Sequence, residues 1–242
     1  MPSALPSILL LPGPACDEEL FQHQAAALAL HARVHVSDAH TRGVTLPEMA
    51  RLLWADHPGR QVLVGASMGG MLALAMHRQA PERVAAMALL GSTARPDTPE
   101  RISLRSRACE LFASGRMDEV LRANVLFAFH PHGARAPGLV ARYLAMIRRA
   151  GPAQLIQQSR AVMARLDSRP QLPHIRCPVL LACGEADLLT PPDQTREMAA
   201  LMPHAQLEFV PGAGHMLTME QPERVTALLL RWATALGNRA RD

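Results

Sequence analysis

The chain has 242 residues, of which 49% are apolar and 19% are charged, and its formal net charge is +4. This length suffices for one sizeable core, and the composition is that of an ordinary globular protein. The basic residues are scattered and aromatic residues make up only 3% of the chain, so nucleic-acid binding has no support.

The sequence also argues against a membrane or secreted protein. No apolar run approaches the length that spans a bilayer, and the first residues lack the basic segment of a secretory signal. We therefore expect a cytoplasmic protein with no membrane partner. The cysteines follow no zinc-binding spacing and are expected to be small core residues in a reducing compartment, with no metal bound. They are Cys16, Cys109, Cys177 and Cys183.

Short apolar runs alternate with stretches of helical periodicity along most of the chain. This alternation predicts βα units on a mostly parallel, doubly wound sheet of about six strands flanked by helices. The runs are near-continuous, as expected of strands covered on both faces. Strands are predicted at residues 8–11, 34–37, 61–65, 84–90, 178–183 and 206–210. Helices are predicted at residues 17–30, 46–56, 68–79, 192–202 and 221–236.

Residues 96–170 break this rhythm, because they contain helical patterns and no convincing strand. Within them, Gly151-Pro152 is a break signal between two helices. We expect a helical insertion over residues 96–170 and a sheet-containing core that comprises residues 1–95 and 171–242.

A candidate nucleophile lies in QVLVGASMGGMLALAMH, residues 61–77, where an apolar strand leads through Gly65-Ala66-Ser67-Met68-Gly69 into a helical pattern. A serine at such a turn is presented on a strained backbone, and small residues two positions away on either side let the turn close. The following helix favours negative charge beside the serine through its N-terminal N–H groups and dipole. The alternative is a turn with a structural role alone.

A serine hydroxyl needs a base to take its proton and a third group to orient that base. VLLACGEADLLTPPD supplies the carboxylate of Asp187 just after a strand, and PGAGHMLTMEQPE supplies His215 after the last strand. All three candidates follow parallel strands, so they are expected at the sheet edge where open α/β sheets bind their ligands.

Other polar residues are weaker candidates for chemistry. Glu185 lies two residues before Asp187 and is a rival acid, while Glu220 is expected to fix the loop of His215. His130 and His132 have the look of a metal-binding pair, but no matching third ligand stands out.

With these motifs the sequence resembles the α/β-hydrolase family over nearly its whole length. LLLPG near the start and SDAHTRG after the second strand also fit, as does the chain order Ser67, Asp187, His215. The resemblance implies a compact α/β-hydrolase fold of the serine esterase or lactonase type. It implies that Ser67 is the nucleophile, His215 the base and Asp187, by its GxxD spacing, the orienting acid.

One departure concerns the oxyanion hole, for which the resemblance implies two backbone N–H donors. Met68, the residue after the nucleophile, is one. The other is expected directly after Pro12-Gly13, but Pro14 stands there and has no N–H to donate. Either Ala15 donates instead, which the otherwise intact candidates favour, or the hole has Met68 alone. Losing one such donor costs roughly a hundred- to a thousand-fold in turnover.

The resemblance also implies that the helical insertion is a cap over the strand ends. In residues 96–170 arginines outnumber acidic residues by 12 to 6, which favours an anionic acyl substrate unless these side chains are merely solvated. Aromatic residues of the cap are expected either to line the substrate pocket or to pack the cap itself. The expected pocket residues are Phe112, Phe127, Phe129, Tyr143, Leu189 and Met216.

The sequence thus predicts a hydrolase that cleaves a small carboxylic ester or lactone through an acyl-enzyme on Ser67, with no cofactor. Thioesterases and C–C bond hydrolases use the same three residues, so the motifs do not separate them. Haloalkane dehalogenases and epoxide hydrolases are disfavoured, because the resembling enzymes carry Asp where Ser67 stands. The alternative from another class is a non-catalytic small-molecule-binding protein with an impaired oxyanion hole. The oligomeric state is left open.

Overall fold

The fold is a six-stranded parallel sheet with helices on both faces, seen in a computed structural model that describes residues 7–239. The strand order is β2-β1-β3-β4-β5-β6. Strand β2 therefore forms one edge of the sheet, and the order of the strands reverses between β1 and β3. The strands are β1 (Ser7–Leu11), β2 (Arg33–Val36), β3 (Gln61–Ala66), β4 (Val84–Leu90), β5 (Val179–Gly184) and β6 (Gln206–Val210). All six predicted strands are confirmed to within one residue at each end, and so is the predicted fold class.

The predicted helices are confirmed with small changes at their ends, and two additional short helices, α2 and α9, have no counterpart in the predictions. The first predicted helix begins as a 3-10 turn, Glu18–Phe21, because the Asp17 carboxylate accepts the Glu19 N–H and caps that turn. The helices are α1 (Gln22–Leu28), α2 (Ala39–Arg42), α3 (Leu46–Asp56), α4 (Met68–Gln79), α5 (Pro99–Ala113), α6 (Met117–Ala128), α7 (Pro137–Met163), α8 (Pro192–Leu201), α9 (Leu217–Glu220) and α10 (Pro222–Arg239).

Two hydrophobic layers cover the sheet. Alternate strand residues such as Leu10 and Val64 point into a layer with residues of α1 and α10, while Leu9 and Leu63 point into a second layer with residues of α3, α4 and α8. The alternation follows from the two-residue period of a strand. The central strands β3 and β5 are buried along their whole length, which explains their near-continuous apolar sequence.

Helices α5, α6 and α7 fill the interval between β4 and β5. Helix α7 is interrupted at Gly151, whose backbone has φ +76° and ψ 174°, directly before Pro152. A positive φ is open to glycine, and proline cannot donate the next helical hydrogen bond, so the predicted break appears as a sharp kink. Phe112, Phe129 and Tyr143 lie in the same buried layer as Leu10, so this segment shares a core with the sheet.

No helix within residues 7–239 is both long enough and apolar enough to cross a bilayer. The four cysteines are free thiols, three of them buried and Cys177 partly so. Burial raises the pKa of the Cys16 and Cys183 thiols to about 12, which keeps both neutral near neutral pH.

Candidate active site

Ser67 lies on the turn between β3 and α4 in a backbone conformation that residues other than glycine rarely adopt. Its φ is +54° and its ψ is −116°, a strain of about 1 to 3 kcal/mol that the surroundings must offset. The Ser67 N–H donates to the Leu90 carbonyl at 2.9 Å, and the Ser92 hydroxyl donates to the Ser67 carbonyl at 2.8 Å. Contacts from the end of β4 therefore hold the turn in place.

The glycines on either side of Ser67 are required by close backbone approach. A Cβ on Gly65 would collide with the Gly69 carbonyl, and a Cβ on Gly69 would collide with the carbonyl oxygen of Leu11. The spacing of small residues in the sequence thus has a steric cause. It brings the start of α4 against the end of β1, where the Pro12-Gly13 turn begins.

The structure brings Ser67, His215 and Asp187 into one chain of hydrogen bonds. The Ser67 Oγ lies 2.9 Å from His215 Nε2, and His215 Nδ1 lies 2.8 Å from Asp187 Oδ2. Because an ionised carboxylate can only accept, it fixes the proton of the neutral imidazole on Nδ1. The lone pair of Nε2 then faces the serine hydroxyl, which is the arrangement needed to take its proton.

The Asp187 carboxylate is 1% exposed and its acceptor sites are filled. Oδ1 accepts the N–H groups of Leu189 and Thr190, each at 2.9 Å, and Oδ2 also accepts the Thr190 hydroxyl at 2.8 Å. Burial alone would raise the pKa of this carboxyl, but His215 and the hydrogen bonds from Thr190 hold it below its ordinary value. The rival acid, Glu185, is exposed.

Glu220 connects the His215 loop to the end of α6. Its carboxylate accepts the N–H of Gly214 at 2.8 Å and the N–H of His130 at 2.7 Å. Burial raises the pKa of this carboxyl to about 7. The contacts are to backbone on both sides, which supports the predicted role of Glu220 in fixing the loop.

The turn after β1 lies directly beside the nucleophile. A Cβ on Gly13 would lie 3.4 Å from the Cβ of Ser67. The turn is closed by a hydrogen bond of 3.2 Å from the Cys16 N–H to the Gly13 carbonyl, with Pro14 and Ala15 between them. Ala15 has φ +54°. A proline at the second position and a positive φ at the third position are the features of a type II turn, in which the third residue is usually glycine.

This geometry corrects the expectation that Ala15 supplies the second oxyanion donor. The Ala15 N–H donates to Oε1 of Gln158 on α7, at 2.6 Å, and both groups are buried. An N–H that points at Gln158 is not available to a substrate oxygen. Met68 remains as a backbone donor candidate, since the first N–H groups of a helix have no partner within it.

The six expected pocket residues do not form one lining. Phe112, Phe129, Tyr143 and Met216 are buried in the core layer, and the rings of Phe129 and Tyr143 meet edge to face at 5.1 Å. Leu189 is partly buried against the same layer. Phe127 is 51% exposed and lies outside that layer, which corrects its placement in the pocket.

Most arginines of residues 96–170 have an acidic partner. Asp97, whose side chain is 1% exposed, accepts from Arg165 at 2.9 Å and from Arg105 at 2.7 Å. Others pair with acids of the α1 region, as Arg149 does with Glu19. The pairs within residues 96–170 are already part of the count of 12 arginines and 6 acidic residues, so only pairs with acids outside this segment, such as Arg149 with Glu19, reduce its excess of positive charge.

Three residues that the sequence analysis missed support the site. Thr190 had a local signal, because an Asp that accepts N–H groups two and three residues later is a common turn. Ser92 follows β4 with no distinguishing pattern. Gln158 lies 143 residues from Ala15 in the chain, so no local pattern could reveal their contact.

Comparisons with known proteins agree with this fold. The sequence model of the family described as the alpha/beta hydrolase fold matches residues 45–222. A pimeloyl-acyl-carrier-protein methyl ester esterase of Xanthomonas oryzae is 27% identical over 248 residues, which cover 96% of each chain.

Two solved structures are similar over 96% of this chain. A thermophilic esterase from Thermogutta terrifontis is 28% identical with a TM-score of 0.87, and the match covers 91% of its chain. The enol-lactonase from Burkholderia xenovorans is 24% identical with a TM-score of 0.85 over 92% of its chain. At that identity the second likeness concerns the fold alone.

Proposed function

Because the chain belongs to the α/β-hydrolase family and is an enzyme of that family, we propose that it cleaves a small carboxylic ester or lactone through an acyl-enzyme on Ser67. The observation that carries this proposal is the continuous hydrogen-bond chain from Ser67 through His215 to Asp187, with distances of 2.9 and 2.8 Å. Relatives named as esterases support the substrate class.

The proposed reaction has two halves that reuse the same base. Ser67 Oγ attacks the carbonyl carbon while His215 Nε2 takes the hydroxyl proton, and the imidazolium then gives this proton to the departing alkoxide. Water next attacks the acyl-enzyme, losing a proton to His215, and Ser67 recovers that proton as the acid leaves. Asp187 orients the imidazole and stabilises its charged form in both halves. No cofactor takes part.

The negative charge that develops on the carbonyl oxygen is the demanding part of this scheme. Met68 N–H and the dipole of α4 are the proposed sources of stabilisation. With Pro14 at the other expected donor position and the Ala15 N–H bound to Gln158, turnover roughly a hundred- to a thousand-fold below that of a two-donor site is expected.

The lack of an N–H at Pro14 and the bond from Ala15 to Gln158 favour a second candidate function, a protein that binds a small ester, thioester or lactone without hydrolysing it. In that case the hydrogen-bond chain persists, but acylation is too slow to matter. C–C bond hydrolysis and thioester hydrolysis use the same nucleophile and base, and they differ from the first proposal only in substrate.

Covalent labelling with a fluorophosphonate separates these candidates, because the reagent needs an activated serine and some stabilisation of its oxyanion. The pure protein is treated with the reagent and the modified peptide is located by mass spectrometry, with Ser67→Ala as the control. Labelling at Ser67 supports the hydrolase, and panels of esters, thioesters and lactones then define the substrate. A folded protein that does not label would leave the binding function as the better account.

A further inference from the structure

The side chain of Gln158 is fully buried on α7 and uses all of its hydrogen-bonding groups. Oε1 accepts the Ala15 N–H at 2.6 Å, and Nε2 donates to the His40 carbonyl at 2.9 Å and to Gln154 Oε1 at 3.0 Å. The partners fix the orientation of the amide, because an N–H needs the oxygen and a carbonyl needs the nitrogen.

These bonds hold the turn after β1 at two points. Gln158 contacts Ala15 directly, and it also holds the backbone of His40, whose ring Nε2 lies 2.8 Å from the Cys16 carbonyl. Since a carbonyl only accepts, the ring nitrogen donates this bond. Helix α7 is thereby joined to two successive residues of the turn.

The turn needs such support because its conformation is unfavourable without it. Ala15 has a positive φ of +54°, which disfavours any residue other than glycine. Rotation of the Pro14–Ala15 peptide would relieve this strain and would turn the Ala15 N–H away from α7. The bond to Gln158 opposes that rotation, since it would leave a buried acceptor and donor without partners.

The turn also lies directly beside Ser67. A Cβ on Gly13 would lie 3.4 Å from Ser67 Cβ and 3.6 Å from the Ala66 carbonyl oxygen. A change in the turn would therefore alter the space in which a substrate carbonyl must sit. Displacements of about 1 Å at such positions can cost roughly a hundred-fold in rate.

We propose that Gln158 is a positioning residue for the reaction, which holds the turn of residues 12–16 in the shape that Ser67 needs. It acts through Ala15 and His40 and does not touch the substrate. This proposal rests on the proposed function, since it requires Ser67 to be the nucleophile. It assigns the second half of α7, after the kink, a role in the rate of acylation.

The test compares fluorophosphonate labelling of wild type, Gln158→Leu and Gln157→Leu. Gln157 is a matched control, because it also joins α7 to the core, through Nε2 to the Gly43 carbonyl at 2.6 Å, at a place away from the turn. In Gln158→Leu we expect the maximal labelling rate to fall at least tenfold while the reagent concentration that gives half of it changes less than about threefold. Gln157→Leu should label at the wild-type rate.

Gln158→Glu provides a second measurement in case the leucine variant folds poorly. A protonated carboxyl can accept from Ala15 and donate to the His40 carbonyl, whereas a carboxylate cannot donate. Burial lowers the pKa of His40 and raises that of Cys16 to about 12, so both nearby groups remain neutral above pH 7. The labelling rate of Gln158→Glu relative to wild type should therefore rise as the pH is lowered toward neutrality, and the rate of Gln158→Leu relative to wild type should stay constant.

Three outcomes would overturn the positioning role: wild-type labelling in Gln158→Leu, an equal loss in Gln157→Leu, or slow labelling of Gln158→Glu that does not recover relative to wild type as the pH is lowered. Faster labelling in Gln158→Leu would also overturn it, because Gln158 would then be withholding a donor from the site. If wild type itself does not label at Ser67, the proposed function fails first, and that result is distinct from each of the others.

Discussion

The acid–base residues beside Ser67 are joined by the hydrogen bonds that proton transfer needs, whereas the two turn residues expected to donate an N–H, Pro14 and Ala15, cannot donate to a substrate. On the acid–base side, His215 contacts both Ser67 and Asp187, and Asp187 has its remaining acceptor sites filled. In the turn, Pro14 has no N–H and the N–H of Ala15 is bound to Gln158.

This difference separates two requirements of acyl transfer that are usually met together. A positioned base activates the serine, and backbone donors stabilise the charge that forms on the carbonyl oxygen. In the proposed reaction the first requirement is met by residues from three separate loops, whereas the second depends on Met68 and the start of α4. We therefore expect a serine that reacts but an oxyanion that is weakly stabilised.

The largest expected effect is that of Ser67→Ala. Removing the nucleophile should lower the hydrolysis of an activated ester such as p-nitrophenyl acetate by about 10⁴-fold or more and should abolish labelling at this position. The measurement is an initial-rate assay with mass spectrometry of the labelled protein. Residual hydrolysis close to that of wild type would place the reaction at another group.

Asp187→Asn should have the next largest effect, a loss of roughly 10³- to 10⁴-fold in kcat/KM, because an amide in place of the carboxylate no longer fixes the reactive tautomer of His215. Glu185→Gln is the matched control, since this acid is exposed and lies two residues away. Kinetics of both variants on the same ester provide the test. Similar losses in the two variants would mean that the acid has been assigned incorrectly.

The smallest expected effect concerns stability and the Glu220 carboxyl. Burial raises its pKa from 4.5 to about 7, so the folded protein keeps a proton that the unfolded chain releases between these values. The contribution of this carboxyl to the free energy of unfolding is therefore fully present below about pH 4.5 and falls by about 1 to 3 kcal/mol as the pH rises toward 7.

Glu220→Gln removes this titration, so its free energy of unfolding should change less than that of wild type between about pH 5 and pH 8. Urea unfolding at the two pH values measures the difference. The same pH dependence in both proteins would show that another group causes the loss of stability and that burial does not raise the pKa of Glu220.

The sequence was informative wherever a feature depends on neighbouring residues. The strands, the turn around Ser67 and the loops of Asp187 and His215 each have a local pattern of apolar, small or turn-forming residues. Residues far apart in the chain were predicted to meet only because the carboxyl ends of parallel strands share one edge of the sheet. The short helices α2 and α9 lacked such a pattern and were missed.

Contacts made by single side chains across the fold could not be predicted. The engagement of Ala15 depends on where α7 packs after its kink, and nothing near Gln158 or Ala15 in the sequence indicates that pairing. Likewise Phe127 is an aromatic residue of the kind that often lines a pocket. About half of its surface is exposed to solvent, because its position on α6 places it outside the shared core. Both outcomes follow from packing, which periodicity specifies only in part.

The most direct test of the account is to give the turn the N–H that it lacks. Pro14→Ala should raise the rate of labelling at Ser67 and kcat/KM for p-nitrophenyl acetate by roughly ten- to a hundred-fold, since one added oxyanion donor is worth up to several kcal/mol. Pro12→Ala, which adds an N–H two residues earlier, should leave both rates near those of wild type, and thermal unfolding checks that both variants fold. An increase confined to Pro14→Ala would establish that Ser67 is active and that its oxyanion hole is incomplete. Unchanged rates in a folded Pro14→Ala variant would contradict that central claim.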